Sequence, residues 1–175
     1  MKKNNEFWTE MGKPFVVLLV ICLVSAALLG ALHSVTAPII EENARLKAEE
    51  TRKSVLPEAD AFEPVPVPEG SPVSEIYKAA NGAGYVVTAV RYGYHGDVTV
   101  TVGFGPDGEI VALSADVSTE TSGVGSKAGG SDYLDRFVGL SGSVASVDTL
   151  SGATYSSTAV RTAVQDAMDA LASVK

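Results

Sequence analysis

DVTVTVGF, residues 97–104, alternates β-branched side chains with a period of two, and Pro106-Asp107-Gly108 follows it as a turn signal that returns the chain into Glu109-Ile110-Val111. This pattern predicts a β-hairpin, and the segments around it extend the prediction. Glu75 to Ala79, Gly84 to Val90 and Glu109 to Ala115 are further short β-like runs. Ser131 to Val138 (SDYLDRFV) reads as a short helix capped by Ser131 or Asp132. Val160, Ala163, Val164, Ala167, Met168 and Leu171 recur at spacings of three and four, the apolar stripe of a helix that packs on a sheet. The expected fold class is α+β: a small antiparallel sheet with packed helices and no internal repeat.

Ahead of this domain, no charged residue occurs between Lys13 and Glu41. As a helix, Phe15 to Ala37 is about 35 Å long, enough to cross a hydrocarbon core of about 30 Å. A cleaved secretory signal has a shorter apolar region of about 7 to 15 residues. A lipoprotein signal at Cys22 needs a small residue before the cysteine, where Ile21 stands. The segment is therefore read as one uncleaved transmembrane helix. Lys2, Lys3 and Lys13 outnumber Glu6 and Glu10 before it, while Glu41 and Glu42 follow it, so the positive-inside rule puts the N-terminus in the cytoplasm. The expected organisation is a cytoplasmic N-terminus over 1–14 and a transmembrane helix over 15–37. A juxtamembrane helix and Pro-rich linker follow over 38–72, then an extracytoplasmic domain over 73–175. Within that linker, Ala61 to Pro72 reads as a semi-rigid spacer or an edge segment of the domain.

From Glu41 onward there are 10 Lys+Arg against 19 Asp+Glu, an acidic balance that argues against nucleic acid or anionic lipid as a partner. The single cysteine, Cys22, lies inside the apolar run, which leaves the exterior domain without thiolates for an iron–sulfur cluster. His33 and His95 are the only histidines, and the sequence shows no metal-ligand spacing. Redox chemistry in this chain therefore calls for an organic cofactor.

Immediately before the terminal helix stands DTLSGATYSS, Asp148 to Ser157. A helix start offers unpaired N–H groups and the positive end of the helix dipole, both suited to a phosphate near Thr154. Gly152 and Ala153 let the backbone approach a bulky group. On local chemistry alone, however, Ser151 or Thr154 reads as an ordinary helix cap.

DTLSGATYSS also resembles the flavinylation motif of the covalent FMN-binding domain family, which includes the G subunit of the Rnf ion-translocating electron transport complex and the C subunit of the sodium-pumping NADH:quinone reductase. Two more segments carry the resemblance. Gly93-Tyr94-His95-Gly96-Asp97 with VTVTVGF and Asp107-Gly108-Glu109-Ile110 is similar to the family's glycine-rich lead-in to its hairpin. Glu120-Thr121-Ser122-Gly123-Val124-Gly125-Ser126-Lys127 is similar to its ETPGxG loop, with Ser122 in place of the proline, a change that loosens the loop's expected backbone. Tyr133 stands where the family often has tryptophan. The matches run from about Gly93 to Arg161, and chain length and the single anchor favour the Rnf member of the family.

The resemblance implies that Thr154 carries FMN through a phosphoester, installed by a separate flavin transferase that uses FAD as donor. Thr154 is then a modified residue, with no catalytic residue expected. Ser151, Gly152, Ala153, Glu120, Thr121, Gly123, Gly125 and Lys127 are the other expected cofactor-binding residues. The charge of Lys127 leaves three readings: offsetting the phosphate, stabilising a reduced anionic flavin, or simple solvation in a Gly/Ser loop. The implied role is electron transfer within a membrane-bound ferredoxin:NAD⁺ oxidoreductase, in company with its other integral membrane subunits. The chain shows no dinucleotide fingerprint, so no direct NAD binding is expected. The alternatives are a flavinylated extracytoplasmic reductase outside such a complex and a non-redox anchored binding or sensor domain.

Overall fold

The computed structural model describes residues 12–68 and 70–175. Lys2, Lys3, Glu6 and Glu10, on which the expected orientation partly rests, lie outside the described residues. The chain divides into two compact units between Lys47 and Ala48.

Helix α1 spans Lys13–Val55. Its apolar stretch is long enough to cross a membrane, and the side chains there are exposed, with Phe15, Leu18, Leu23 and Leu29 all more than half accessible. The expected transmembrane and juxtamembrane helices are thus one continuous helix. Pro38 lies inside it and withholds one i→i−4 donor, yet does not end it.

The second unit is built on a five-stranded antiparallel sheet in the order β1-β2-β3-β4-β5. The strands are β1 (Phe62–Val65), β2 (Val73–Ala79), β3 (Tyr85–Tyr92), β4 (Asp97–Phe104) and β5 (Ile110–Asp116). The hairpin expected from DVTVTVGF is β4–β5. Its turn closes with Gly108 N–H donating to Gly105 C=O at 3.0 Å, and Gly108 takes φ +92°, the left-handed region that glycine enters without a Cβ clash. The β3–β4 ladder is uninterrupted from Tyr85↔Phe104 to Tyr92↔Asp97, which leaves Gly93 to Gly96 as its connecting loop.

Alternation along β4 sends Val98, Val100, Val102 and Phe104 to one face, where all four are fully buried. Helix α3 (Thr154–Val174) lays Val160, Ala163, Val164, Ala167 and Leu171 on that face, within the same core cluster. Burying such aliphatic side chains stabilises by about 1.5–3 kcal/mol each for the larger ones. The Arg91–Asp166 ion pair, which joins β3 to α3 at 2.8 Å, is partly exposed and contributes at most about 1 kcal/mol. The apolar stripe therefore dominates the docking of α3, and the ion pair adds to its alignment.

The opposite face is covered where the end of α1 crosses β4. Val55 and Leu56, each 2 % exposed, pack with Ala79 and Val86. Gly103 makes this possible: a Cβ there would stand 2.2 Å from the Val55 carbonyl oxygen. This unit accordingly begins at Ala48, upstream of the domain start expected at Val73. The Pro-rich stretch also takes the second of its two readings, because Phe62–Val65 pairs with Ile76–Ala79 as an edge strand. Pro64 is tolerated there because an edge strand needs donors on one side only.

Between β5 and α3 lie a 3-10 turn at Gly125–Gly129, helix α2 (Ser131–Leu134) and a further 3-10 turn at Asp135–Phe137. The cap expected from Ser131 or Asp132 is instead the backbone of Gly130, whose carbonyl accepts the N–H groups of Tyr133 and Leu134 at 3.0 Å each. The turn starts one residue earlier than side-chain capping required.

Gly103→Ala should lower unfolding stability of the full chain by about 1–3 kcal/mol, the cost of overpacking, because the α1 end has to lift from β4. Chemical denaturation followed by circular dichroism measures it, and a variant as stable as the wild type would show that this contact yields freely.

Candidate functional site

The segment Leu150 to Ser157 forms a turn and then a helix start. Ala153 N–H donates to Leu150 C=O at 3.1 Å, and Gly152 occupies the third turn position at φ +81°, where a Cβ would be strained. Ala153 then holds the cap position of α3, with no side-chain hydrogen bond to the first turn. Neither Ser151 nor Thr154 caps the helix, which overturns the local reading of this segment. The reason lies in Ser157, which is fully buried and ties the turn together. Its hydroxyl donates to Ala153 C=O at 2.8 Å and accepts Leu150 N–H at 3.0 Å. The Tyr133 hydroxyl donates to the Ser157 carbonyl at 3.1 Å from across the core. With Ala153, Ser156 and Ser157 turned inward, Thr154 and Tyr155 are left exposed.

Glu120 is 6 % exposed and links this helix start to the β3–β4 loop. One carboxylate oxygen accepts the N–H groups of Tyr94 and His95 at 3.0 Å each, and the other accepts the Ser156 hydroxyl. Burial pushes the carboxyl's pKa up. The hydrogen bonds from Ser156 and from the backbone of His95, Gly96 and Tyr94 outweigh that effect and hold it below the ordinary glutamate value. Two glycines make room: a Cβ on Gly93 would lie 2.5 Å from Glu120 Oε1, and one on Gly125 would lie 2.6 Å from Ser156 Oγ and 2.8 Å from Glu120 Oε2.

The loop after Glu120 is ordered despite lacking the family proline. Val124 N–H and Ser126 N–H both donate to Thr121 C=O, at 3.1 and 3.2 Å, and Gly123 N–H donates to Ser126 Oγ at 2.9 Å. Ser122 occupies the second position of that turn and Gly123, at φ +76°, the third. These three bonds close the turn with serine standing where the family has proline.

A pocket of about 500 Å³ opens where the three segments meet, within the range of about 300–1,000 Å³ common for small-molecule sites. Tyr94 contributes from the β3–β4 loop, Glu120, Thr121, Val124 and Gly125 from the second loop, and Gly152 to Ser156 from the helix start. The rings of Tyr94 and Tyr155, both well exposed, stand 6.0 Å apart at a 48° tilt.

Of the expected cofactor-binding residues, Glu120, Thr121, Gly125, Gly152, Ala153 and Thr154 line this pocket, whereas Ser151, Gly123 and Lys127 do not. Lys127 is exposed on the 3-10 turn, and no lysine or arginine is among the described residues that line the pocket. The sequence reading did not single out Tyr94, Val124, Tyr155 or Ser156. Tyr94 and Tyr155 do lie inside recognised segments, but only the fold brings their rings together.

Restoring proline with Ser122→Pro should stabilise the chain by about 0.4–1 kcal/mol, since the turn already has the backbone proline prefers; a lowered thermal midpoint would contradict this. Because the folded state depresses the Glu120 pKa, the stabilisation from its carboxylate is fully present above the unfolded value of about 4.3 and is lost as pH falls through the folded pKa. The urea midpoint of the wild type should therefore exceed that of Glu120→Gln at about pH 7, with the gap narrowing as pH falls below about 4.3. A gap independent of pH would contradict the depressed pKa.

Comparison with known proteins agrees with this geometry. The FMN-binding domain family matches residues 93–169, a span that includes all three segments around the pocket. The G subunit of the ion-translocating oxidoreductase complex of Methanosarcina acetivorans is 32 % identical over 91 % of this chain and 94 % of its own length. The G subunit of the Na⁺-translocating ferredoxin:NAD⁺ oxidoreductase complex of Acetobacterium woodii is 35 % identical over 77 % of this chain and 72 % of its own. Its proton-translocating counterpart in Clostridium ljungdahlii is 25 % identical over 87 % and 86 %. The chain belongs to the family of G subunits of ion-translocating ferredoxin:NAD⁺ oxidoreductase complexes, the Rnf complexes, and contains that family's FMN-binding domain.

Proposed function

We propose that this chain is the electron-carrying flavoprotein subunit of a membrane-bound ferredoxin:NAD⁺ oxidoreductase complex, with FMN joined to Thr154 through a phosphoester. The observation that carries this reading is an exposed threonine hydroxyl at an uncapped helix start, on the wall of a pocket of ligand size. In the attachment step, which a separate flavin transferase catalyses, the Thr154 oxygen replaces AMP on the FMN phosphorus of FAD, and the hydroxyl proton leaves with AMP. Thr154 needs no base of its own for this, as the transferase supplies the activation.

The residues present fit FMN. The first-turn N–H groups of α3 and the positive end of its dipole suit the phosphate. Tyr94 and Tyr155 offer aromatic faces to the isoalloxazine ring, and Thr121 offers a hydroxyl from the facing loop. Gly125 and Gly152 keep the walls free of side chains. Gly123 serves through the turn it permits, and Ser151 and Lys127 stand off the wall. When bound, the flavin supplies one- and two-electron chemistry through its own ring system, while the protein fixes and tunes it.

The long apolar helix and the family both support a membrane-bound subunit. The charge pattern around that helix supports an N-terminus in the cytoplasm and an extracytoplasmic FMN domain. A covalent tether suits that side of the membrane, because a flavin that dissociated there would be diluted away. The chain passes electrons between other subunits of the complex and does not itself bind NAD⁺.

Wild-type chain from cells containing the transferase should give a flavin-fluorescent band that survives denaturing electrophoresis, and Thr154→Val should abolish it. A band of undiminished intensity in that variant would place the attachment elsewhere.

A further inference from the structure

We propose that Glu120 is a positioning residue whose buried carboxylate braces the pocket and, as a fixed negative charge in its wall, lowers the reduction potential of the linked flavin. This rests on the FMN reading above and assigns Glu120 a role other than direct flavin contact. Its two oxygens accept Tyr94 N–H, His95 N–H and the Ser156 hydroxyl, so the protein itself engages both of them before any ligand enters. Those three groups belong to two segments, the β3–β4 loop that carries Tyr94 and the first turn of α3 that carries Thr154 and Tyr155. The carboxylate thereby fixes the spacing of both rings and the attachment hydroxyl.

The same geometry gives the charge its leverage. All its donors are neutral groups, and no lysine or arginine lines the pocket among the described residues. The interaction of like charges scales inversely with the effective dielectric, so a charge 6 % exposed acts more strongly across the pocket than a solvated one. Electrons entering the ring add negative charge beside Glu120. The oxidised form is favoured, and the potential falls.

Glu120→Gln separates charge from scaffold, because the amide retains an acceptor oxygen for Tyr94 and His95 N–H while losing the charge. Flavinylated full-length chain in detergent is titrated spectroelectrochemically, after its mass confirms the bound FMN. At the wild-type midpoint, Glu120→Gln should raise the reduced-to-oxidised ratio about tenfold, a shift of about 30 mV for a two-electron couple. Ser156→Ala, which removes one donor and keeps the charge, should move it less. A flavinylated Glu120→Gln chain with an unmoved midpoint overturns the electrostatic role. Should that variant not fold, the wild type provides the test: its midpoint should lie lower in the native chain than in the same chain unfolded in urea, and a higher native midpoint overturns the proposal. The brace is read without flavin. Glu120→Ala should speed amide exchange at Tyr94 and His95 at least tenfold, and unchanged exchange overturns it. A wild-type chain that gains no flavin mass rejects instead the FMN reading beneath the proposal.

Discussion

The Glu120 carboxylate joins parts of the chain that local structure leaves separate. Tyr94 and His95 belong to a hairpin loop, Ser156 to the first turn of a helix far along the sequence, and Glu120 to the loop between them. A buried carboxylate without partners would carry a large desolvation cost, so the fold has to deliver these donors together. Gly93 and Gly125 are where that demand reaches the backbone, since a methyl group at either position would intrude on the carboxylate or its serine partner. The pocket is the space left beside this junction, and its wall inherits the junction's rigidity.

The sheet holds the junction in place through its two covers. On one face α3 presents an aliphatic stripe to Val98, Val100 and Val102; on the other, Val55 rests over Gly103 and clusters with Leu56, Ala79 and Val86. The helix that offers Thr154 to solvent is thus the one whose opposite side forms the core. Ser157 and Tyr133 fix where it begins, so Thr154 falls on the exposed side at the first position while Ala153 takes the cap. Burial of one face and availability of the other come from the same helical periodicity.

Those elements whose signal is local were legible in the sequence. DVTVTVGF, the Pro-Asp-Gly turn and the stripe from Val160 to Leu171 each declare their structure within about ten residues, and each forms an element of the expected type. Thr154 and the Glu120 loop were singled out by resemblance, since local chemistry at the helix start pointed to a cap. Three features were hidden for distinct reasons. The Ala153 cap depends on a serine four residues later. The Tyr94–Tyr155 pair and the Glu120 brace exist only once the sheet has closed. Lys127 lies on the 3-10 turn outside the pocket wall, a placement that its charge alone did not reveal.

Electron transfer as proposed for this chain rests on FMN held at Thr154. The most direct measurement is the mass of the proteolytic peptide containing Thr154, taken from full-length chain made with the flavin transferase present. The peptide should be heavier by FMN less one water, with fragmentation placing the addition on Thr154. An unmodified peptide, or the same mass on Ser151, Tyr155 or Ser156, would contradict the assignment.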